Sequence, residues 1–158
     1  MKRAICLVIL LTLILCGCSA KNNVPFYYCR SDFQNVPVES IFDIEKRDIS
    51  GHEYQLNFLI SLYLMGPSNA DYVNPFPSDV QLEGTHVNGN CLTVNLTSMD
   101  RVSDSRFSIA SACLALTCFE ISRYETVTIV SGSRTITLTA DMLTMYDSGV
   151  PMETATGG

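Results

Sequence analysis

Two turn signals, Asn88-Gly89 and Gly132-Ser133, each sit between short runs of alternating apolar residues, and a helical pattern precedes each of them. The order helix, hairpin, helix, hairpin predicts antiparallel strand pairs with helices as separate covering elements, which is the α+β class. Val80 to Thr85 and Cys91 to Thr97 read as the strands of the first hairpin. Alternation places Leu92, Val94 and Leu96 on the core face and Thr93 and Asn95 on the other. Thr126 to Val130 and Arg134 to Leu138 form the second hairpin.

The helices carry their own punctuation. Ser50-Gly51-His52-Glu53 is a capping box, and Leu56, Leu59, Ile60 and Tyr63 follow at helical spacing, so a helix is expected over His52 to Met65. Gly66-Pro67 ends it, since glycine accepts the left-handed cap and proline stops continuation. Ser103 or Ser105 can cap a second helix, which carries Phe107, Ile109, Ala110, Cys113, Leu114, Leu116 and Thr117 and ends near Glu120 to Arg123. Its small residues, Ala110, Ser111, Ala112 and Ala115, allow close approach to a sheet. Leu59, Tyr63, Leu92 and Leu114 are expected in one core. Upstream, Pro25 to Cys29 reads as a strand, and Val36 to Asp48 as a second one kept at an edge by Pro37. Ser68 to Ser78 is an extended connection with two prolines, and Thr139 to Met145 a short turn. There is no internal repeat, so one domain is expected.

The N-terminus decides where such a domain would work. Lys2 and Arg3 precede an apolar run from Ala4 to Leu15, then Leu15-Cys16-Gly17-Cys18. The run is short for a membrane span and has the layout of a secretory signal. A small residue directly before cysteine resembles the lipobox of bacterial lipoproteins. The resemblance implies that residues 1–17 are a signal peptide and that Cys18 becomes the lipidated N-terminus, carrying acyl chains such as palmitate. Residues 18–24 would be a tether. A plain signal peptide or a short anchor helix is the alternative reading. Each places the domain outside the cytoplasm. Loss of Lys2 and Arg3 takes the 10 Lys+Arg to 8, against 16 Asp+Glu. That acidity argues against nucleic acid and against electrostatic binding to anionic lipid or cell-wall polymer, so membrane attachment would fall to the lipid on Cys18.

Of seven cysteines, Cys6 and Cys16 would leave with the signal and Cys18 would be modified, leaving Cys29, Cys91, Cys113 and Cys118. An even number outside the cell permits two disulfides. Cys113 and Cys118, five apart on a helix, point about 140° apart and cannot bridge each other. Small buried thiols are the favoured reading for most of them.

Leu59 to Pro67 (LISLYLMGP) followed by Pro75-Phe76-Pro77, and Leu92 to Ser98 (LTVNLTS), Phe107 to Ser122 and Val127 to Gly132 in succession, resemble the GerMN domain of spore-germination GerM-type lipoproteins. The resemblance covers about Pro25 to Asp147. It implies a GerMN-like domain over residues 25–147; residues 148–158, small and polar, read as a flexible tail. The implied fold is a small α+β domain, two helices on one face of a mixed or antiparallel sheet, similar to ring-building-motif folds. It implies no catalytic residues and no cofactor. Some family members carry two tandem copies, and this chain shows one.

The chemistry-bearing residues agree with that absence. There is no Gly-x-Ser-x-Gly elbow, no Ser-x-x-Lys, no His-Glu-x-x-His and no paired cysteines. The two histidines, His52 and His86, read as a first-turn residue and an exposed loop residue. Asp43, Glu45 and Asp48, mixed with Lys46 and Arg47, read as a solvated face, and Asp100 and Asp104 as complements to a helix dipole. Phe26, Tyr27, Tyr28 and Phe33 could stack on a glycan, with strand packing as the simpler role. The functional expectation is a lipid-anchored, non-catalytic scaffold of the cell envelope, associated with sporulation or peptidoglycan. It would have an envelope protein or peptidoglycan as partner, or a second copy of itself. A cell-wall-modifying enzyme or its regulator is the alternative. Edge strands near Val36–Asp48 and Arg134–Leu138 are the candidate contact surfaces.

Overall fold

In the computed structural model, which describes residues 22–32, 37 and 40–144, seven strands and three helices follow one another. They are β1 (Asn23–Arg30), β2 (Phe42–Asp48), α1 (Leu56–Leu64), β3 (Tyr72–Val73), β4 (Leu82–Asn88), β5 (Cys91–Leu96), α2 (Asp104–Ile121), β6 (Thr126–Ser131), β7 (Arg134–Thr139) and α3 (Ala140–Thr144). The α+β class holds. The strands divide between two sheets instead of joining one: β2-β1-β3, antiparallel throughout, and β4-β5-β6-β7. The second sheet is mixed. Its outer pairs are the two expected hairpins, but β5 and β6 run parallel, with Leu92 opposite Val127 and Val94 opposite Ile129. A parallel pair needs a long crossover, and α2 supplies it.

The first hairpin turns on Gly89-Asn90, one residue later than Asn88-Gly89, because Asn88 pairs with Cys91 and Gly89 takes φ +58. The second turns on Gly132-Ser133, with Gly132 at φ +59 and Ser131 opposite Arg134. Leu92, Val94 and Leu96 are buried on the core face, as alternation requires.

α2 lies against β1 of the first sheet and β6 and β7 of the second. Phe107, Ala110, Ser111, Cys113, Leu114, Ala115, Thr117 and Cys118 are all buried, a wider face than one sheet would cover. β3 pairs with β1 only at Cys29 and Arg30, which leaves the rest of that side of β1 for the helix. There the Tyr27 backbone N–H donates to Thr117 Oγ1 at 2.9 Å, and the Thr117 hydroxyl donates to the Cys113 carbonyl at 2.9 Å. Ser103 is the cap of α2, its Oγ accepting from the Arg106 N–H.

α1 starts at Leu56, four residues after the expected His52. Gly51 adopts φ +84, and the His52 and Gln55 N–H groups donate to Ile49 and His52 carbonyls in successive turns before the helix begins. The Ser50 hydroxyl donates to Asp48 instead of capping. The far end behaves as read: Gly66, at φ +94, donates its N–H to the Tyr63 carbonyl. Leu59, Tyr63, Leu92 and Leu114 are fully buried in one core.

Three boundaries differ. Asn23 and Val24, expected in the 18–24 tether, belong to β1 and pair with Asp48 and Arg47. β2 begins at Phe42, and Val36 lies outside the described residues. The connection 68–78 contains the short strand β3. Residues 1–21, including the signal, Cys18 and the start of the tether, lie outside the described residues, as do Met145 and the 148–158 tail.

Candidate functional site

Strand alternation on β2 turns Glu45 and Arg47 inward and Ile44 and Lys46 outward. The acidic-basic run read as a solvated face is therefore corrected: its middle is a buried charge pair. Glu45 is 8 % exposed, and Arg47 Nε donates to it at 2.6 Å. The same carboxylate accepts the Ser68 N–H and hydroxyl and the Asn69 N–H, tying down the chain after α1. Burial pushes the Glu45 pKa up, but bonds from Ser68, Arg47 and Asn69 outweigh it and hold the carboxyl below its ordinary value. Arg47 also donates to the Leu62 and Gly66 carbonyls at 3.3 and 2.6 Å, so it caps the C-terminal end of α1. Its guanidinium lies 5.3 Å from the Phe26 ring centre and 5.7 Å from that of Tyr28.

The outward face is different. β2 ends the order β2-β1-β3, so one backbone edge has no strand neighbour among the described residues. Ile44 is 41 % exposed on it, and Lys46 is exposed. β7 is also an edge strand. Arg134, at its start, is already engaged: it pairs with Asp104 at 3.1 Å and lies 5.4 Å from the Phe107 ring centre. Within the two candidate edge strands, Lys46 points outward, whereas Arg134 is committed to the fold.

Asp100 is a turn clasp, not a dipole complement. It accepts from the Ser98 and Ser133 hydroxyls at 2.7 and 3.0 Å, and these bonds hold its carboxyl below the ordinary range. Phe26 and Tyr28 are core residues, with Tyr28 stacked on Tyr63 at 4.8 Å and its hydroxyl donating to the Tyr63 carbonyl. Tyr27 is partly buried, and Phe33 lies outside the described residues. His52 precedes α1, stacks on Phe58 at 4.2 Å and meets Gln55 Oε1 at 3.2 Å. His86 is an exposed β4 residue opposite Thr93, in a strand instead of a loop.

Cys29, Cys113 and Cys118 are free buried thiols, and Cys91 is exposed. Burial pushes the Cys118 thiol up to about 12. Among the described residues, no group of three His, Cys, Asp or Glu side chains could hold a metal, and no helix is long and apolar enough to cross a membrane. The sequence reading missed one surface feature. Tyr54, almost wholly exposed, borders a shallow groove with Gln55, Leu56, Asn57, Phe58 and Thr85, where Thr85 Oγ1 donates to Asn57 Oδ1 at 2.6 Å.

The Germane family model, described as sporulation and spore germination, matches residues 25–136. Among solved structures, the chain is similar to the tandem GerMN domains of the sporulation protein GerM from Bacillus subtilis. That similarity has 17% identity and a TM-score of 0.50, over 75% of this chain and 41% of that one, so this chain spans less than half of its length. It is also similar to a crystal structure of a "Putative Lipoprotein from Clostridium perfringens", with 18% identity and a TM-score of 0.44, over 71% of this chain and 75% of that one. No curated protein matches.

Proposed function

The chain belongs to the Germane family, with a GerMN-type α+β domain and a family relation to sporulation and germination, and on that premise we propose that it is a lipid-anchored, non-catalytic contact module of the cell envelope. Its anchor would be the acyl-bearing Cys18. The N-terminal sequence from Lys2 to Cys18 supports export and lipidation. Two or more acyl chains on one cysteine would hold the domain firmly at the membrane, where a single chain would not.

The observation that carries the contact reading is the β2 edge. It has no strand neighbour among the described residues and carries an exposed Ile44 with Lys46 two residues on, and the strand is braced from behind by the Glu45–Arg47 pair. A braced edge can add a strand from a partner without itself unfolding. An envelope protein or a second copy of this chain fits that surface, and the peptidoglycan layer lies within reach of a domain held at the membrane.

Two measurements test the proposal. Cys18→Ala should abolish acyl labelling and leave an uncleaved precursor or release the protein from the membrane fraction. Unchanged labelling and mass would defeat the anchor. Ile44→Asp combined with Lys46→Glu should lose crosslinked partners in intact cells, with the denaturation midpoint kept near that of the parent. A double variant that folds and keeps every partner would defeat the β2 surface. Release of wall fragments by the purified chain would replace the non-catalytic reading with an enzymatic one.

A further inference from the structure

Cys29 stands near the end of β1, and Cys113 stands in the middle of α2, one turn before Thr117. The two thiols are in contact, with their sulfurs 4.0 Å apart. Cys29 is 2 % exposed and Cys113 is fully buried. The other two described cysteines are elsewhere in the fold: Cys118 is near the end of α2, and Cys91 is on the exposed start of β5. One pair of the four is therefore in contact, and it joins the first sheet to the helix that also covers the second.

We propose that Cys29 and Cys113 are a modification site, a disulfide that fastens β1 to α2 and forms by exchange with a low-molecular-weight disulfide. In the first step the Cys29 thiolate attacks one sulfur of the external disulfide. A Cys29–sulfur bond forms, the external S–S bond breaks, and one thiolate leaves. In the second step the Cys113 thiolate attacks the Cys29 sulfur, the internal S–S bond forms, and the second external thiolate leaves. The protein loses two electrons and two thiol protons, and the external disulfide is reduced to two thiols.

The two thiols differ in the way this order requires. The hydrogen bond from Cys113 outweighs burial and, with the Arg106 charge, holds the Cys29 thiol below its ordinary pKa. Burial holds Cys113 well above it. Cys29 is also the more reachable of the two. The strand beside it, β3, is two residues long and pairs with β1 only at Cys29 and Arg30. A ladder that short opens at little cost. Closure to a bonding distance of about 2.0 Å then requires the sulfurs to approach by roughly 2 Å. The core is otherwise already built around both side chains.

The test incubates the purified full chain with oxidised glutathione, quenches with acid, then unfolds, alkylates and maps the cysteines by mass spectrometry. The expected product yields a linked Cys29–Cys113 peptide that is two hydrogens lighter than its two free-thiol parts, whatever glutathione the other cysteines carry, and its denaturation midpoint rises and falls back on reduction. Cys113→Ser should stop at a single glutathione on Cys29. The proposal is overturned if both thiols emerge alkylated from the unfolded wild-type chain, or if glutathione stays on Cys29 with Cys113 free. The wild-type map decides the matter even if the variant does not fold.

Discussion

Arg47 satisfies three demands at once: a carboxylate, two helix-end carbonyls and two aromatic rings. A lysine offers a point charge and could not serve all of them. Its partner Glu45 is the sharper probe. Glu45→Gln keeps the shape, removes the charge and leaves a half-buried guanidinium without its counter-ion, which should cost about 3 kcal/mol at neutral pH. Glu45 is held below its ordinary pKa in the folded state. Its contribution is therefore complete above the unfolded value and is lost as pH falls through the folded one. Denaturant melts at about pH 7 and about pH 3 should show the gap between wild type and Glu45→Gln narrowing in acid, and a constant gap would contradict the assignment. This pair was not legible in the sequence. A run of five mixed charges reads as solvated, and what turns its inner members into a core pair is a helix end arriving from residues 62–66, which no local pattern announces.

Glycines at the two hairpins show what an element can and cannot reveal of itself. Both turns were legible, because glycine between alternating runs has few other uses. Their surroundings were not. A Cβ at Gly89 would meet nothing within 4 Å, whereas one at Gly132 would lie 2.6 Å from Ser98 Oγ and 2.7 Å from Asp100 Oδ2. Gly89→Ala should cost about 1 kcal/mol, the strain of a left-handed backbone alone. Gly132→Ala should cost at least about twice that, since it also displaces the clasp by which Asp100 holds Ser133. Equal losses in thermal melts would show that the clasp yields freely. The start of α1 was misread for a related reason. Ser50 and Glu53 have capping-box spacing, but Asp48 takes the Ser50 hydroxyl and Gly51 turns the chain aside. β3 was invisible, since two residues carry no periodicity.

At the scale of the whole molecule, α2 is the shared wall of both sheets, and Leu114 lies at its centre with no exposed surface. Leu114→Ala should cost about 2–5 kcal/mol in denaturant melts, and a loss below about 1 kcal/mol would place that face wrongly. The class, both hairpins and this core residue were readable from composition and spacing. The division into two sheets was not, because strand alternation states which face is buried and not which neighbour is joined. The parallel ladder between β5 and β6 has a consequence in time. Each hairpin closes on contacts a few residues apart, an event of about 1–10 μs in isolation. β5 and β6 can meet only after the intervening helix has brought distant chain together, so their joining is the slow, non-local step. Substitutions at that seam and at either hairpin tip should therefore both retard refolding, because both sets of contacts are in place by the time that step is crossed.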